Sequence, residues 1–394
     1  MSKSLSAALI ALLLLLVACS SSNDPDPDPP VDPLPRLKQE AAQNYAEIAH
    51  AAYQDSFLLA QQLKTAVDAF VAAPSQAGLD TARAAWLAAR VPYGQTEAYR
   101  FYNGPIDNEQ DGPEGQLNAW PMDENYVDYT AGNPNAGIIN NPGAYPEITR
   151  DLLVGLNEQN GEANISTGYH AIEFLLWGQD LSANGHGERP FTDYVDGGAE
   201  GNEARRRAYL SVITDLLVED LQFLVDAWAP GVAGNYRAGF EANDDALSFM
   251  LQGIGSLSGA ELAGERMSVA LDTRDQEDEH SCFSDNTHVD IRENARGIRN
   301  VYSGTYTRIN GTQISGTGVH HILTEVDANL ATRLNQLTVD SVTACEAIPR
   351  PFDRAIVTSD GRPVVQAAID ALRAQTAAIA EAADALGITL NLEQ

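Results

Sequence analysis

The sequence predicts an all-α protein whose main part consists of two packed helical bundles. Alanine- and leucine-rich segments with helical spacing dominate the chain, and alternating runs of β-branched residues are scarce. Predicted helices lie on both sides of an irregular stretch at 181–201. Roughly 360 residues follow the N-terminal segments, which is enough for two domains of ordinary size. We therefore predict one bundle over 36–200 and a second over 201–394.

The N-terminus has the pattern of an export signal over residues 1–18. A basic start precedes the apolar run Ala7–Val17, which is shorter than the roughly 20 residues that cross a bilayer. The segment Leu16–Cys19 resembles the lipobox of bacterial lipoproteins, which implies acylation of Cys19. The alternative is ordinary cleavage with an unmodified cysteine. By resemblance to the same class, Ser20 favours the outer membrane, so we expect an outer-membrane lipoprotein of the bacterial cell envelope.

Residues 19–35 are predicted to form an extended tether. They contain alternating aspartate and proline and almost no apolar side chain to bury. In the whole chain, 55 acidic residues outnumber 24 basic residues, and the formal net charge of −31 argues against nucleic acid or anionic lipid as a partner. Such a surface attracts cations, although it is equally typical of a solvated, salt-adapted protein.

The helical pattern begins with Leu37–Ala73, ended by Pro74, and Leu79–Arg90, with Pro92 kinking or ending the helix. Further helices are predicted over 146–158, 167–177, 203–228, 242–272, 287–302, 317–337 and 362–386. Between them, 103–145 is rich in Gly, Pro, Asn and Asp, which indicates a long loop. Loops of this length are often functional, but an inert insertion packed by its own aromatic residues is an alternative.

The chain has three cysteines, and acylation of Cys19 leaves Cys282 and Cys345. Because exported cysteines meet an oxidising compartment, we expect these two to form a disulfide. A bridge closing a loop of roughly 60 residues would contribute about 4 kcal/mol of stability. The alternative is metal ligation by His280, Cys282 and His288.

The most informative segment runs from Gly168 to Gly178 and contains His170 and Glu173 among apolar residues. A separation of three places both side chains on one face of a helix. A helix that is apolar nearly all round is buried, and an ionised Glu173 there is costly unless a cation or several donors meet it. Imidazole and carboxylate suit Fe, Zn or Mn, so the pair predicts a metal site. A structural hydrogen-bond network is the alternative.

The string Gly-x-His-x-x-Glu continuing as Phe-Leu-Leu-Trp-Gly resembles the signature of the imelysin family, also called the iron-regulated protein A family. Two further blocks resemble the same family, namely Trp86–Glu97, continuing to Asp107, and Cys282–His288, continuing to Gly304. The resemblance implies two packed helical bundles, a site in the cleft between them, and a role in iron acquisition at the bacterial surface.

Carried over onto this chain, the resemblance makes His170 and Glu173 the leading metal ligands. Glu97 and Asp107 lie in the N-terminal block near the expected cleft, and carboxylates suit a hard cation. Either acid could instead be an ordinary helix-surface or turn residue. Arg90 and Arg100 are possible supporting residues, which could orient these acids or form plain ion pairs. Asp285 and His288 could contribute from the second domain, or they could only shape the loop around Cys282.

The function expected from these observations is that of a non-enzymatic component of metal uptake. It would bind a divalent or trivalent ion, iron preferably or zinc, or a metal complex, and could act with other iron-uptake proteins. One alternative is a metal-dependent peptidase in which Glu173 acts as a base on metal-bound water, although Phe174 stands where the inverted zinc-protease motif has a second histidine. Another is a surface binding protein with a purely structural His170–Glu173 pair.

Overall fold

Helices form almost all of the regular structure in the computed structural model, which describes residues 32–198 and 201–392. The predicted all-α class is confirmed. The α-helices are α1 Leu34–Ala72, α2 Gln76–Thr96, α3 Glu114–Leu117, α4 Glu124–Val127, α5 Arg150–Leu156, α6 Gly168–Trp177, α7 Glu203–Ala227, α8 Tyr236–Glu241, α9 Ala246–Ser256, α10 Val269–Thr273, α11 Thr287–Ser303, α12 Val319–Val326, α13 Ala328–Glu346, α14 Phe352–Val357 and α15 Gly361–Ala385.

Several shorter elements complete the described part of the chain. A π-helix, Leu257–Ser268, joins α9 directly to α10. The remaining elements are three 3₁₀ turns, Glu97–Tyr99, Phe191–Tyr194 and Gln276–Asp278, and an antiparallel hairpin of β1 Thr305–Thr307 and β2 Gln313–Ser315. None of the helices in the described ranges combines the length and apolar character that a membrane crossing requires.

Two of the predicted helices differ from the observed ones. Helix α2 does not end at Pro92 but continues to Thr96. The single helix predicted over 317–337 is two helices, because Asp327 adopts an extended conformation and its carboxylate accepts hydrogen bonds from the backbone N–H groups of Asn329 and Leu330. This is an N-cap, which starts α13 as a new helix.

The core forms where the long helices of the two halves of the sequence meet. Helix α1 packs against α2 and α7, and α2 also packs against α11. On the buried side of α1, Tyr45 lies among the rings of Tyr99, Trp228 and Phe240. Helices α13 and α15 pack against each other, and α15 also contacts the π-helix. The buried helix α6 lies against α2 and α7, so the long helices determine the position of the His170–Glu173 segment.

From Pro33 onward, the described residues group as one compact unit. The predicted boundary between two bundles at residue 200 stays a prediction. The predicted signal peptide, Cys19 and the tether up to residue 31 lie outside the described residues. The last two residues assigned to the tether, Leu34 and Pro35, belong to the first turn of α1, a position that suits proline.

The predicted disulfide is wrong, because Cys282 and Cys345 are free thiols. Cys282 is partly buried in the loop before α11, whereas Cys345 is buried near the end of α13. Burial raises the pKa of both thiols, that of Cys345 to about 12. A disulfide needs Cα atoms roughly 4.4–6.8 Å apart, a condition that a count of exported cysteines does not establish.

A buried ion cluster joins the long loop to α7. The carboxylate of Asp128 accepts two hydrogen bonds from Arg206, at 2.7 and 2.9 Å, and one from Arg189 at 2.7 Å. All three side chains are buried. In the sequence, Arg206 lies within the run Arg205–Arg207 and has the appearance of an exposed helix start, so this pairing depends on the tertiary fold.

Replacing Asp128 by asparagine should lower the free energy of unfolding by about 3–5 kcal/mol, because two buried guanidinium groups lose their counter-charge. Chemical denaturation followed by circular dichroism measures this change. The control is Glu381→Gln, which removes an exposed ion pair with Arg333 and should cost less than about 1 kcal/mol. Equal effects of the two substitutions would contradict the role assigned to Asp128.

Candidate metal centre

Helix α6 carries the first half of the candidate site, and Gly168 determines where that helix starts. Gly168 has φ +85°, and a Cβ atom there would lie 2.7 Å from the carbonyl oxygen of Leu117 and 2.8 Å from that of Gln116. Glycine is therefore required both by the backbone conformation and by the close approach of α3. As predicted from the apolar sequence, every residue of α6 is buried.

His170 and Glu173 form a closed pair inside the protein. His170 Nδ1 lies 3.0 Å from Glu173 Oε2, while Glu173 Oε1 accepts hydrogen bonds from Ser284, 2.9 Å from its backbone nitrogen and 2.6 Å from its hydroxyl. Burial raises the pKa of Glu173 to about 8, and burial together with the nearby His280 lowers the pKa of His170 well below its usual value. Both shifts favour the uncharged forms of the two groups in the metal-free protein.

A second histidine, His280, lies against the first. The two ring centroids are 4.6 Å apart and the rings are inclined at 73°. His280 Nδ1 lies 2.9 Å from Asp290 Oδ2. Burial, followed by the charge of Arg266, lowers the pKa of His280 to about 4, so this ring is also neutral at neutral pH. The site thus contains two neutral imidazoles in contact.

Asp290 is ionised and anchors this half of the site. It accepts hydrogen bonds from the Ser281 hydroxyl at 2.5 Å and from Arg90 Nε at 3.1 Å. Burial opposes the charge, but Arg90 and His280 outweigh it and hold the pKa of Asp290 well below its usual range. Arg90 in turn donates to Asn118 at 2.5 Å. Since Asp290 is an acceptor only, Nδ1 of His280 carries the proton and Nε2 presents a lone pair.

The unsatisfied atom of the site is His170 Nε2. It is buried and has no hydrogen-bond partner among the described residues. A buried polar nitrogen without a partner costs free energy, so it marks a position where a ligand or water is expected. Histidines that bind metals commonly donate their other ring nitrogen to a carboxylate. Both His170 and His280 contact a carboxyl group of Glu173 or Asp290 through Nδ1, and this arrangement fits a metal bound through Nε2.

Glu97 and Arg100 lie together in a neighbouring ion cluster. Glu97 Oε2 accepts hydrogen bonds from Arg100 at 2.7 Å and from Arg266 at 2.8 Å. Burial alone would raise the pKa of Glu97, but these two guanidinium groups outweigh it and lower the pKa to about 2. Arg100 also pairs with Glu114 at 2.9 Å. Glu97 Oε1 is buried without a partner, so one oxygen of this acid stays available to a ligand.

Asp107, Asp285 and His288 form local hydrogen bonds, none of which involves His170 or His280 in the described part of the chain. The carboxylate of Asp107 accepts hydrogen bonds from the backbone nitrogens of Phe101, at 2.5 Å, and Gly104, at 2.6 Å, and so closes its own turn. His288 Nδ1 lies 3.0 Å from the carbonyl oxygen of Asp285. None of these residues forms a hydrogen bond with His170 or Glu173 among the described contacts.

Sequence reasoning missed Asp290, Ser284 and Arg266. Asp290 follows His280 by ten residues, and no known motif spacing connects them. Arg266 comes from the π-helix, and it contacts Glu97, Glu261 and Asn294. His280 had a weak signal, since it was one member of the alternative ligand set with Cys282 and His288. Neither of the other two members forms a hydrogen bond or a ring contact with His170 among the described residues.

By themselves, His170 and His280 would be an incomplete set of ligands for a metal ion. Within residues 32–198 and 201–392, no three His, Cys, Asp or Glu side chains converge at metal-binding distance. The remaining positions around an ion would have to be filled by water or by a chelating molecule. A cavity of about 710 Å³ is lined by residues from 129–134 and 177–190. His170, Glu173 and His280 do not line it.

Comparisons with known proteins agree with this architecture. The model of the family described as Imelysin matches residues 49–379. The chain belongs to the imelysin family. It is 28% identical over 339 residues to iron-regulated protein A of Synechococcus elongatus, covering 83% of this chain and 78% of that protein. The crystal structure described as an iron-regulated protein A precursor from Parabacteroides distasonis superposes with a TM-score of 0.68 at 20% identity, covering 89% of this chain and 96% of that one, which shows the common fold.

The pKa of Glu173 predicts how stability of the metal-free imelysin-family chain depends on pH. Folding raises this pKa from 4.5 to about 8, so the folded protein holds more protons than the unfolded chain between these pH values. The contribution of Glu173 to stability is therefore fully present below pH 4.5 and is lost as the pH rises to about 8. The loss is at most about 1.4 kcal/mol per pH unit. Glu173→Gln keeps the size without the charge, and it should be more stable than the unmodified chain at pH 8 but not at pH 4.5. Thermal unfolding measured across this range tests the prediction, and parallel curves would contradict it.

Proposed function

We propose that this imelysin-family protein binds a metal ion through Nε2 of His170 and His280 and takes part in bacterial iron acquisition. The observation that carries the proposal is the buried, unpartnered Nε2 atom of His170 beside a second carboxylate-bound imidazole. Iron is the favoured ion because the similar protein of Synechococcus elongatus is named as iron-regulated. The metal is the cargo of this function and not a catalyst.

The donor atoms favour a divalent ion. Neutral imidazole suits Fe²⁺, Zn²⁺ and Cu²⁺, whereas hard trivalent ions prefer oxygen ligands. Behind the rings, the carboxylate of Asp290 supplies negative charge through its hydrogen bond to Nδ1 of His280, which strengthens this imidazole as a donor. The carboxyl group of Glu173 contacts Nδ1 of His170 in the same way, and a cation at Nε2 would favour its ionised form. Because two imidazoles are too few for a complete shell, the ion would retain water or arrive with a chelating ligand. This supports a metal complex as cargo as well as a free ion.

Export and anchoring belong to the same proposal. The signal peptide, the lipobox cysteine Cys19 and the Asp-Pro tether would hold the helical body at the outer membrane. A net charge of −31 would raise the local concentration of cations near such a body. Other iron-uptake proteins of the envelope would then deliver or receive the metal.

The geometry of Glu173 gives no support to a peptidase. One carboxylate oxygen contacts His170 and the other accepts two hydrogen bonds from Ser284. A general base needs an oxygen within reach of the water that it activates. Glu173 instead orients His170, which is the task expected of a carboxylate next to a metal-binding imidazole.

The test is metal binding by the purified full chain, measured by calorimetry and by elemental mass spectrometry after dialysis. Zn²⁺, Mn²⁺ and Cu²⁺ are offered separately, and Fe²⁺ is offered without oxygen. We expect one tightly bound ion per chain, with His170→Ala and His280→Ala each weakening binding by at least about 100-fold. Asp290→Asn should weaken it by about 10–100-fold, since it removes the charge that orients His280.

The control variant is His320→Ala, which removes a half-buried histidine that contacts Tyr302. It should leave the affinity unchanged. Metal binding that is equally strong in the His170 and His280 variants would overturn the proposal. A large loss of thermal stability in His170→Ala, without any metal binding by the unmodified chain, would instead support a purely structural pair.

A further inference from the structure

The cavity of about 710 Å³ that lies outside the metal centre is enclosed by three segments of the chain. These are the loop at 129–134, the end of α6 with the residues that follow it at 177–182, and the loop at 186–190. A cavity of this volume has the size of a binding site for a small organic molecule. The proposed metal site does not account for it, because His170, Glu173 and His280 do not line it.

Contacts between the three segments fix the shape of this cavity. The backbone nitrogen of Arg189 donates to the carbonyl oxygen of Trp177 at 2.7 Å. The side-chain oxygen of Gln179 accepts a hydrogen bond from the backbone nitrogen of Ala131 at 2.6 Å. Gly187 has no room for a side chain, since a Cβ atom there would lie 2.6 Å from the carbonyl oxygen of Trp177. The walls of the cavity are therefore built into the fold and do not depend on a ligand.

The residues that line the cavity are largely apolar. They include half-buried Tyr129, buried Trp177, and the exposed residues Pro134, Leu181 and Pro190. Among the described residues that line it, the acidic one is Glu188, which is exposed, so water screens its charge. Such walls suit a ligand with an aromatic or apolar body.

Arg189 is the buried charged residue that lines the cavity, and one edge of its guanidinium group is unused. Its side chain is 2% exposed. Both hydrogen bonds that the guanidinium group donates within the described ranges come from Nη1, at 2.7 Å to Asp128 and 3.2 Å to Asp193. Nε is buried without a partner in the same ranges. Nε and Nη2 form the edge of a guanidinium group that can hold both oxygens of a carboxylate, so this edge stays available to a ligand.

The surroundings of Arg189 hold its guanidinium group and leave space beside Nε. Its Cζ atom lies 4.9 Å from the ring centroid of Tyr129 and 5.2 Å from that of Phe174. Gly178 also lines the cavity, and a Cβ atom there would lie 3.6 Å from Nε. Glycine, which suits this backbone at φ +72°, leaves that position uncovered. A buried donor without a partner at the wall of a cavity is where an acceptor oxygen of a ligand is expected.

The buried charges next to the cavity favour an anionic ligand. Arg189 and Arg206 are matched by two buried carboxylates, those of Asp128 and Asp193. Arg83 adds a third guanidinium group, since its Nη2 donates to the carbonyl oxygen of Arg189 at 2.9 Å. The ion pair described for Arg83 is a contact of 4.0 Å with an exposed aspartate. One positive charge is thus in excess in this buried region, and a negative charge on the ligand would balance it.

We infer that this cavity binds a small organic carboxylate with an aromatic body, whose two oxygens accept hydrogen bonds from Nε and Nη2 of Arg189. A pair of this kind is bidentate and charge-assisted, so it is stronger than a hydrogen bond between neutral groups. The aromatic body would pack against Tyr129, Trp177 and Leu181. The inference does not rest on the proposed iron function, because the histidines of the metal centre do not line this cavity.

The experiment is a calorimetric titration of the purified, metal-free full chain with benzoate at constant ionic strength. Benzoate should bind one to one with a Kd of about 0.1–1 mM, a range that suits a ligand of so few atoms. Benzamide keeps the ring without the charge, and acetate keeps the charge without the ring, so each should bind at least about 10-fold more weakly. Absence of benzoate binding would overturn the inference, as would equally strong binding of benzamide, acetate or inorganic phosphate.

The first test variant is Arg189→Lys, which keeps the charge but removes the bidentate edge. It should weaken benzoate binding by at least about 10-fold. The matched control is Arg206→Lys, which changes the other arginine bound to Asp128 but does not line the cavity. Both variants weaken the same buried ion cluster, yet the control should keep the benzoate affinity of the unmodified chain. Equal affinity of the two variants for benzoate would overturn the inference.

A second pair of variants leaves the buried ion cluster intact and so gives a result even if Arg189→Lys does not fold. Leu181→Glu places a negative charge at a residue of the cavity that is 72% exposed, and it should weaken benzoate binding by about 5-fold through repulsion of the carboxylate. The control, Val232→Glu, adds the same charge at a residue that is 50% exposed and does not line the cavity. It should bind benzoate as the unmodified chain does.

Unchanged affinity in Leu181→Glu, or an equal loss in Leu181→Glu and Val232→Glu, would overturn the inference. His170→Ala should bind benzoate with full affinity, because this residue does not line the cavity. Failure at the metal centre and failure at the cavity therefore give different results.

Discussion

The ion pair between Arg90 and Asp290 joins α2, from the first half of the sequence, to α11, from the second half. Both side chains are 1% exposed. Desolvating two charges is expensive, and the cost is offset only when the geometry is good and the remaining donors and acceptors find partners. Asp290 meets that condition by accepting hydrogen bonds from His280 and Ser281 as well. The requirement to satisfy one buried carboxylate thereby fixes the orientation of His280.

The same constraint explains the difference between the polar clusters of this protein. Asp128 and Glu97 each have two arginines, and their contacts are part of the fold. Glu173 has no arginine, so burial favours its neutral form and raises its pKa, although the hydrogen bonds from Ser284 act in the opposite direction. Groups that the protein itself satisfies stabilise the structure, whereas an unsatisfied group such as His170 Nε2 leaves a position that water or a ligand would satisfy.

Much of the fold followed from local patterns, and the errors occurred where a single residue acts through its backbone or through a distant partner. The helical segments of 34–72 and 361–385 follow from apolar spacing, which depends only on neighbours along the chain. The break at Asp327 depends on one side chain capping the next helix. The disulfide was inferred from the count of cysteines, and that count contains no information about where Cys282 and Cys345 lie.

By itself, the sequence determined the helical class, the family and the buried pair His170 and Glu173, because each of these is encoded in residues at short separation. Only the tertiary structure decided which atom of that pair is available and which residues complete the centre. His280 lies 110 positions beyond His170, and Asp290 lies 200 positions beyond Arg90. Contacts over such separations arise from the packing of α2 and α6 near α11, and no periodic pattern in the sequence predicts them. The same packing leaves Nε2 of His170 without a partner, and this unsatisfied atom is the physical basis of the proposed function.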